Sequence, residues 1–457
     1  MTAAPAAPAS ALEGAPFAPV AELSGFGSTL KYARQPLSRF EAARRISDRA
    51  VAFEVFGRPY LVLFELEAIE QVLVGAHAAF DKDRFTQDLR RVLGDGLLTS
   101  EGEAWRRHRK LMAPSFQRNE VAAYVPIMVE RTQEFVSRLR PGEVFDIHSA
   151  LMQLTLDILV RALFGAHVAR APEVERLLEG LARDYRPPVV ALRLLLPEWV
   201  PLPSRRRLAR TRRALDVILL ELLEQRSARG AELAAHDLLG RLMQARDAHG
   251  SLSEAALRDE AMTLFLAGHE TTALSLTYAL RLLAQHGEQA EALRRELCEV
   301  LQGRPPTALD LPRLTRTRAV IDEALRLYPP AWALGRQPRE DMVLAGVAVS
   351  RATQIIVCPW VLHRDPRFFQ QPERFIPERW FGEPPPRYAY MPFGAGPRVC
   401  IGSHFALAEA TVLLAVLLSQ ASFELAPQPP LELMPSVTLR PRGPVLLRRT
   451  GTAHARA

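Results

Sequence analysis

The pattern of apolar and polar positions predicts a helix-dominated chain with a small sheet. Residues 51–64 alternate around the Gly57-Arg58-Pro59 turn, which predicts a β-hairpin. Residues 80–100 are expected to form a loop with short helices, and short strands are expected after Met342 and over 422–449. Apolar residues at helical spacing predict further helices. These cover residues 66–73, 103–114, 119–139, 148–165, 251–285, 314–327 and about 400–418.

The segment 251–285 is predicted to be a core helix. Ser251 and Glu254 have the S-x-x-E spacing of an N-terminal capping box. The residues that follow are apolar on several faces around Phe265, which is typical of a helix that runs through a core. Residues 187–204 are also apolar, but their prolines exclude one long helix. Two interpretations of that segment stay open: a packed connection, or a mobile lid over an apolar cavity.

The composition is that of an ordinary globular protein with a basic surface. The formal net charge is +7, and nearly all of the positive charge is arginine because Lys31, Lys82 and Lys110 are the only lysines. The abundance of alanine, proline and arginine suggests a GC-rich bacterial genome. No nucleic-acid-binding motif accompanies the basic runs. The charge therefore indicates either a generally basic surface or a site for an acidic protein partner.

The cysteines and the N-terminal residues bear on compartment and domain organisation. Cys298, Cys358 and Cys400 form no C-x-x-C pair, and so sparse a set favours a reducing compartment, here the cytoplasm. The first residues are rich in alanine and proline and have no targeting pattern, so we expect a disordered tail over 1–22 and one domain over 23–450. No segment reaches the length of about 20 apolar residues that a membrane span needs.

The loop before the last helix carries the strongest chemical signal. It reads Phe393-Gly-Ala-Gly-Pro-Arg-Val-Cys400-Ile-Gly402. A cysteine just before a helix meets the positive end of the helix dipole and backbone N–H groups, and both favour the thiolate. The glycines would let a flat macrocycle approach the backbone, Phe393 could shield the sulfur, and Arg398 could pair with an anionic substituent. A buried free cysteine in a glycine-rich turn is the alternative.

This loop resembles the haem-binding signature of the cytochrome P-450 family, and the resemblance spans residues 25 to 445. It implies a mainly α fold with a small β subdomain, the cytochrome P-450 fold. The cofactor would be haem b, held between the long central helix and the cysteine-loop helix. Cys400 would be the metal ligand, bound to the iron through its thiolate. Thiolate ligation favours O–O bond cleavage.

A second motif on the predicted central helix agrees with this resemblance. Ala267-Gly268-His269-Glu270-Thr271-Thr272 matches the family pattern [AG]-G-x-[DE]-T-[TS]. A threonine within a helix can bond the carbonyl four residues back, here that of Ala267, and Gly268 would ease the resulting distortion. By resemblance, Thr271 and Glu270 are catalytic: Thr271 holds the oxygen being activated and Glu270 helps deliver protons. His269 is expected to be structural.

Other positions match the family one by one. Glu323 and Arg326 stand three residues apart, as in the family's buried ion pair. The second arginine of that pair is either Arg374 or Arg379, with the spacing favouring Arg379, and Trp380 replaces the commoner phenylalanine. Three further side chains are implied to bind the haem propionates, since buried unpaired charge is unfavourable. These are Trp105, Arg109 and Arg336.

The resemblance implies an O2-dependent monooxygenase with an apolar pocket. Electrons would come from an external ferredoxin and ferredoxin reductase, docked at a basic cluster of Arg106, Arg107, His108 and Lys110. A solvated helix face is the alternative for this cluster. The substrate would be a terpenoid, fatty acid, steroid or polyketide, and the protein a monomer. A peroxide-using haem enzyme, a haem gas sensor and a structural protein with a chance motif are the alternatives. The expected pocket residues are Leu264, Ala267, Ala331, Ala333, Leu334 and Val437.

Overall fold

The computed structural model of the chain describes residues 15–167, 170–227, 237–244 and 250–451. Helices dominate these residues, which confirms the predicted mainly α fold with a small β subdomain. The α-helices are α1 (Gly25–Arg34), α2 (Pro36–Ile46), α3 (Leu66–Glu70), α4 (Arg84–Asp88), α5 (Arg90–Leu93), α6 (Gly102–Met112), α7 (Arg118–Ala122), α8 (Val125–Arg138), α9 (Ile147–Phe164), α10 (Ala171–Asp184), α11 (Pro187–Leu195), α12 (Pro203–Ser227), α13 (Leu238–Gln244), α14 (Glu254–Gln285), α15 (Gly287–Leu301), α16 (Thr315–Leu327), α17 (Pro359–Leu362) and α18 (Ser403–Gln420).

The strands form one five-stranded sheet and three smaller groups. The five-stranded sheet has the order β1-β2-β8-β5-β3, the three-stranded sheet has the order β4-β12-β9, and β6–β7 and β10–β11 are two-stranded. The strands are β1 (Ala50–Val55), β2 (Arg58–Leu63), β3 (Phe80–Lys82), β4 (Val144–Asp146), β5 (Leu334–Pro338), β6 (Met342–Leu344), β7 (Val347–Val349), β8 (Gln354–Val357), β9 (Ser422–Leu425), β10 (Leu433–Pro435), β11 (Leu439–Pro441) and β12 (Leu446–Gly451).

The predicted hairpin is present as β1 and β2, which pair antiparallel with Ala50 opposite Leu63. Phe56 and Gly57 form the turn with φ of 50° and 69°. Two consecutive residues of positive φ are what a tight turn between right-twisted strands requires. The turn residues therefore account for the close pairing of the two strands.

Helix α14 is the central helix that the pattern predicted. It packs against α9, α16 and α18, and most of its residues are buried, including Phe265, Ala273 and Leu276. Its cap is Ser253, whose Oγ accepts a hydrogen bond from the N–H of Ala256 at 3.2 Å. The predicted cap, Ser251, is wrong because the first helical turn begins at Glu254, two residues later than that cap requires.

The predicted boundary of the tail is also wrong. Residues 1–14 of that tail lie outside the described residues. Within residues 15–22, the N–H of Ala15 donates to Gly346 O and that of Val20 to Ala52 O, both at 2.9 Å, and Phe17 packs on the apolar cluster of the sheet. These contacts tie the segment to the β subdomain, so the ordered domain includes residues before 23.

Among the described residues, two helices of 18 residues are by length and composition apolar enough to cross a membrane. They are α9 and α18, with mean hydropathies of 1.3 and 1.4. About two thirds of each helix is buried within the protein. Their apolar character follows from their place beside α14 in the core.

Candidate active site

A cavity of about 540 Å³ lies between α14 and the loop that carries Cys400. Most of the side chains around it are apolar, and they come from segments as far apart as β3 and β11. The fold brings to this one cavity every predicted cofactor, catalytic and substrate residue. These are Trp105, Arg109, Leu264, Ala267, Glu270, Thr271, Ala331, Ala333, Leu334, Arg336, Phe393, Arg398, Cys400 and Val437.

The cysteine loop presents Cys400 to this cavity. The N–H of Cys400 donates to Phe393 O at 2.9 Å, which closes the loop, and α18 begins three residues later at Ser403. Cys400 is exposed and forms part of the cavity lining. Gly402 follows with open space where a Cβ would stand, as an approaching flat group requires.

The thiol of Cys400 is not made acidic by the protein alone. Burial raises its pKa, while the N–H of Gly402 and the charge of Arg109 act in the opposite, predicted direction. The helix-end effect that the sequence suggested is thus present but smaller than the desolvation of the thiolate. A metal cation at the sulfur would supply the remaining stabilisation, because a coordinated thiol is deprotonated.

Gly396 has a packing role in addition to the predicted one. Its φ is +70°, and a Cβ there would stand 1.9 Å from the carbonyl oxygen of Leu73. The residue therefore allows the cysteine loop to pack against the backbone after α3.

Two cations face each other at the edge of the cavity. Lys82 on β3 lies directly opposite Arg336 on β5, and Arg336 is only 8% exposed. Burial and the neighbouring Arg336 and Arg398 hold the pKa of Lys82 well below its ordinary value, and burial also lowers the pKa of Arg336. Among the described residues, neither has a carboxylate within ion-pair distance. Like charges opposite each other are destabilising unless an anion lies between them.

Arg398, Trp105 and Arg109 complete the same end of the cavity. Arg398 stacks over the Trp105 ring at 4.0 Å, donates to Ser100 O at 2.8 Å and forms an ion pair with Glu101. Arg109 donates to Val399 O at 2.8 Å, beside the cysteine. Burial lowers the pKa of Arg398 to about 10.

These residues fit haem. A thiol faces the cavity, the space beside Gly402 is open, and the cations at one edge exceed their carboxylate partners as a dianionic cofactor requires. Cys400 would bind the iron. Arg336, Arg398, Trp105, Arg109 and Lys82 lie where they would hold the propionates.

Thr271 has the hydrogen bond that its sequence position suggested. Its Oγ1 donates to Ala267 O at 3.0 Å, and both residues line the cavity. The predicted help from Gly268 is of another kind, because a Cβ at Gly268 would stand 2.9 Å from Leu159 of α9. The glycine allows α9 and α14 to approach each other, and α14 continues without interruption through this motif.

Glu270 is held by residues that follow far later in the chain. Arg440 Nε donates to Glu270 Oε1 at 2.5 Å, and Thr438 Oγ1 donates to the same oxygen. The carboxylate is buried, yet Arg440 keeps its pKa below the ordinary value against that burial. His269 is fully buried with Nδ1 2.7 Å from Phe265 O, and burial lowers its pKa. The histidine is thus placed in the core.

The ion pair centred on Glu323 lies outside the cavity. Arg326 Nε donates to Glu323 Oε2 at 2.9 Å, and Arg379 Nε donates to Oε1 at 3.0 Å, whereas Arg374 bonds Gln371 instead. The substituted Trp380 donates its indole N–H to Glu323 Oε2 at 3.0 Å. A tryptophan therefore adds a hydrogen bond that phenylalanine could not make.

Four site residues were missed by sequence reasoning. Three of them line the cavity, namely Lys82, Thr438 and Arg440. The fourth, Glu101, lines a smaller pocket that shares Lys82 with the cavity. Their neighbours in sequence carry no motif that marks them. The pairing of β3 with β5 and the position of β11 beside α14 bring them in, and these are decided by strand partners rather than by local spacing.

The comparisons agree with this geometry. A model of the family described as "Cytochrome P450" matches residues 18–448. Cyclooctatin synthase of Streptomyces melanosporofaciens is 34% identical over 402 residues, covering 86% of each chain, and cyclooctat-9-en-7-ol 5-monooxygenase of the same organism is 33% identical with the same coverage. Pentalenene oxygenase of Streptomyces avermitilis is 34% identical over 365 residues, covering 78% of this chain and 79% of its own. The chain belongs to the cytochrome P450 family of haem-thiolate monooxygenases.

Proposed function

We propose that this cytochrome P450 inserts one oxygen atom from O2 into an apolar terpenoid, with electrons from an external ferredoxin and its reductase. The observation that carries the proposal is the apolar cavity with Cys400 on one side and Thr271 on α14 lining another part. Bound haem supplies the activation of dioxygen. The chain supplies the sulfur ligand, the cations at one edge of the cavity and apolar walls that exclude water. It also supplies two polar side chains on α14, Glu270 and Thr271.

Proton delivery is assigned to Thr271 and Glu270. The Thr271 hydroxyl, anchored on Ala267 O, would orient the oxygen to be protonated. Glu270 would exchange protons through its carboxylate, whose Oε1 is held by hydrogen bonds from Arg440 and Thr438. Thr271→Val should therefore lower the product formed per electron pair consumed. Thr277→Val is the matched control, since Thr277 is buried on α14, donates to the carbonyl four residues back in the same way and does not line the cavity.

The substrate class rests on the cavity and the relatives together. Leu264, Ala331, Ala333, Leu334 and Val437 offer contacts to a hydrocarbon skeleton and few to a polar one. The names of two relatives specify an unsaturated alcohol, cyclooctat-9-en-7-ol, and an unsaturated hydrocarbon, pentalenene. Among terpenoids, fatty acids, steroids and polyketides, these names favour the terpenoids.

The first experiment tests the cysteine. The reduced carbon monoxide complex of the wild type should show the red-shifted Soret band of a thiolate ligand. Cys400→Ser should lose that band, while Cys298→Ser, an exposed cysteine on α15, should keep it. A wild type without the band would exclude the assignment.

The second experiment tests the chemistry and the substrate. Cyclic terpene hydrocarbons and alcohols should shift the ferric spin state at lower concentration than fatty acids or steroids of equal size. Product should then form with oxygen, ferredoxin and reductase. Product formed with peroxide alone, and none with oxygen and reductant, would favour a peroxide-using enzyme instead.

The proposed ferredoxin site is smaller than the sequence suggested. His108 is buried, with Nδ1 2.8 Å from Glu260 Oε1, and Arg107 donates to Ser251 O at 3.0 Å. Only Arg106 and Lys110 of the predicted cluster are exposed. We assign electron-donor docking to these two side chains, and we propose a cytoplasmic monomer.

A further inference from the structure

A carboxylate lies among the cations at one end of the cavity. Glu101 directly precedes α6, and its side chain is 19% exposed. Its Oε1 accepts a hydrogen bond from the backbone N–H of Lys82 on β3 at 2.6 Å, and its Oε2 forms an ion pair with Arg398 of the cysteine loop. Glu101 therefore joins two segments that are far apart in sequence. No step of the proposed reaction uses this carboxylate.

The smaller pocket that Glu101 lines is basic. Its lining includes two acidic side chains and five that are arginine or lysine, namely Lys82, Arg106, Arg336, Arg339 and Arg398. The other acidic side chain, Asp81, accepts a hydrogen bond from Arg339 at 2.6 Å, in a pair whose members are 34% and 47% exposed. Glu101 is therefore the more buried of the two carboxylates in this pocket.

The charge of Glu101 acts on three of these cations at once. Burial lowers the pKa of Lys82, Arg336 and Arg398, and the negative charge of Glu101 opposes that effect at each of them. We call these three side chains the propionate cations, because they lie where they would hold the haem propionates. Glu101 is thus an anion of the protein itself that shares its cations with the cofactor.

The turn before α6 also sets the orientation of Arg398. Its Nη1 donates to Ser100 O at 2.8 Å, and its Nη2 is the atom that pairs with Glu101. The guanidinium stacks over the Trp105 ring at 4.0 Å, and Arg398 stands only two residues before Cys400. A propionate bound by Arg398 would therefore share that guanidinium with Glu101, and Glu101 would offset part of its positive charge.

We propose that Glu101 lowers the reduction potential of the haem by offsetting the charge of the propionate cations. Reduction adds an electron, so fixed positive charge nearby favours it and fixed negative charge opposes it. Water and salt screen a mostly buried charge only weakly. Glu101 is thus a positioning residue that acts through Arg398 and its neighbours. The inference rests on the haem of the family and is independent of the terpenoid substrate.

Spectroelectrochemical titration of the full-length holoprotein tests the proposal without any oxidation assay. Glu101→Gln removes the charge but keeps the side-chain length and an oxygen that can accept from the N–H of Lys82. It should raise the equilibrium constant for reduction about tenfold, which is about 59 mV for a one-electron couple. Glu101→Asp keeps the charge, so its potential should stay close to that of the wild type.

The matched control is an acidic residue two positions later. Glu103 is exposed on the first turn of α6, so Glu103→Gln removes an equal charge that solvent already screens. Its potential should stay at the wild-type value, and every variant should retain the carbon monoxide band. No rise for Glu101→Gln in protein that shows this band, or an equal rise for Glu103→Gln, would overturn the proposal. A wild type without the band would instead refute the thiolate assignment.

Comparison of the two Glu101 variants separates an effect of charge from a purely structural role. If Glu101 only held the turn before α6 in place, the shorter Glu101→Asp would disturb the contact with Arg398 as Glu101→Gln does. Both variants would then lose haem faster to apomyoglobin and shift the potential alike. We expect the rise in potential for Glu101→Gln alone, and equal shifts in the two variants would refute the role of the charge.

Discussion

Glu409 on α18 is a buried carboxyl group that no proposed step uses. It is fully buried, and neither oxygen has a hydrogen-bond partner among the described residues. Burial raises its pKa to about 8, although the nearby Thr272 hydroxyl opposes this shift. Between the ordinary glutamate pKa of 4.5 and 8, the native state binds more protons than the unfolded one. The free energy of unfolding therefore falls as pH rises through this window.

Glu409→Gln should be more stable than the wild type at neutral pH. The amide stays neutral, so it avoids a penalty of up to about 3 kcal/mol at pH 7, from about 1.4 kcal/mol per pH unit. Urea unfolding at several pH values measures this difference, which should shrink toward pH 4.5. Glu424→Gln, an exposed position on β9, should leave the pH dependence unchanged. Parallel pH profiles for wild type and Glu409→Gln would contradict the raised pKa.

Arg440 should matter for stability because it neutralises Glu270. Removing one member of a buried ion pair destabilises by about 3–5 kcal/mol. We expect a loss of this order for Arg440→Gln at pH 7, measured by chemical unfolding. The folded pKa of Glu270 is lowered, so the contribution of the pair is complete above pH 4.5 and is lost as pH falls below it.

The control for Arg440 is its neighbour in sequence. Arg442 pairs with Glu432, and both side chains are more than 60% exposed. Arg442→Gln should change stability by about 1 kcal/mol or less. A gap between wild type and Arg440→Gln that persists unchanged well below pH 4.5 would show that the charge of Glu270 is not its cause.

At the scale of elements, the contact between α9 and α14 depends on Gly268. A methyl group at this position would stand 2.9 Å from Leu159 Cδ1, closer than packed atoms tolerate. We expect Gly268→Ala to destabilise by about 1–3 kcal/mol through overpacking, and to weaken ligand binding because Ala267 and Thr271 would move with the helix. Thermal unfolding and spin-state titration measure the two effects.

Gly180 on α10 supplies the comparison for that helix contact. Nothing lies within 4 Å of a Cβ built there. Gly180→Ala should stabilise the protein by about 0.5–1 kcal/mol, because alanine has less backbone freedom to lose than glycine. If both substitutions stabilised the protein, close packing of α9 on α14 would not be the reason for Gly268.

At the scale of the whole molecule, the net charge is +7, and we expect the exposed cations near the cysteine loop to set the rate of reduction by an acidic protein. Arg106→Glu with Lys110→Glu should slow reduction by an acidic ferredoxin about tenfold at low ionic strength, and the difference should fade at high salt. Stopped-flow reduction measures this rate. Arg140→Glu with Arg295→Glu makes an equal change in net charge at other exposed positions. If that variant slowed reduction equally, the net charge and not a local docking site would explain the effect.

The sequence by itself determined the features that depend on local order. The Cys400 loop, the motif around Thr271, the β1–β2 hairpin and the core character of α14 follow from turn residues, helical periodicity and motif spacing within short segments. These interactions join residues that are close along the chain, so their pattern is visible in the sequence. The family and the mainly α fold followed from them.

Only the tertiary structure decided the features that join distant segments. Lys82 faces Arg336 because β3 pairs with β5, and Glu270 pairs with Arg440 across 170 positions. Burial then reversed two local expectations: it raised the pKa of Cys400, and it removed His108 from the predicted docking cluster by pairing it with Glu260. Desolvation and ion pairing depend on what surrounds a group in space, and no spacing along the chain specifies those surroundings.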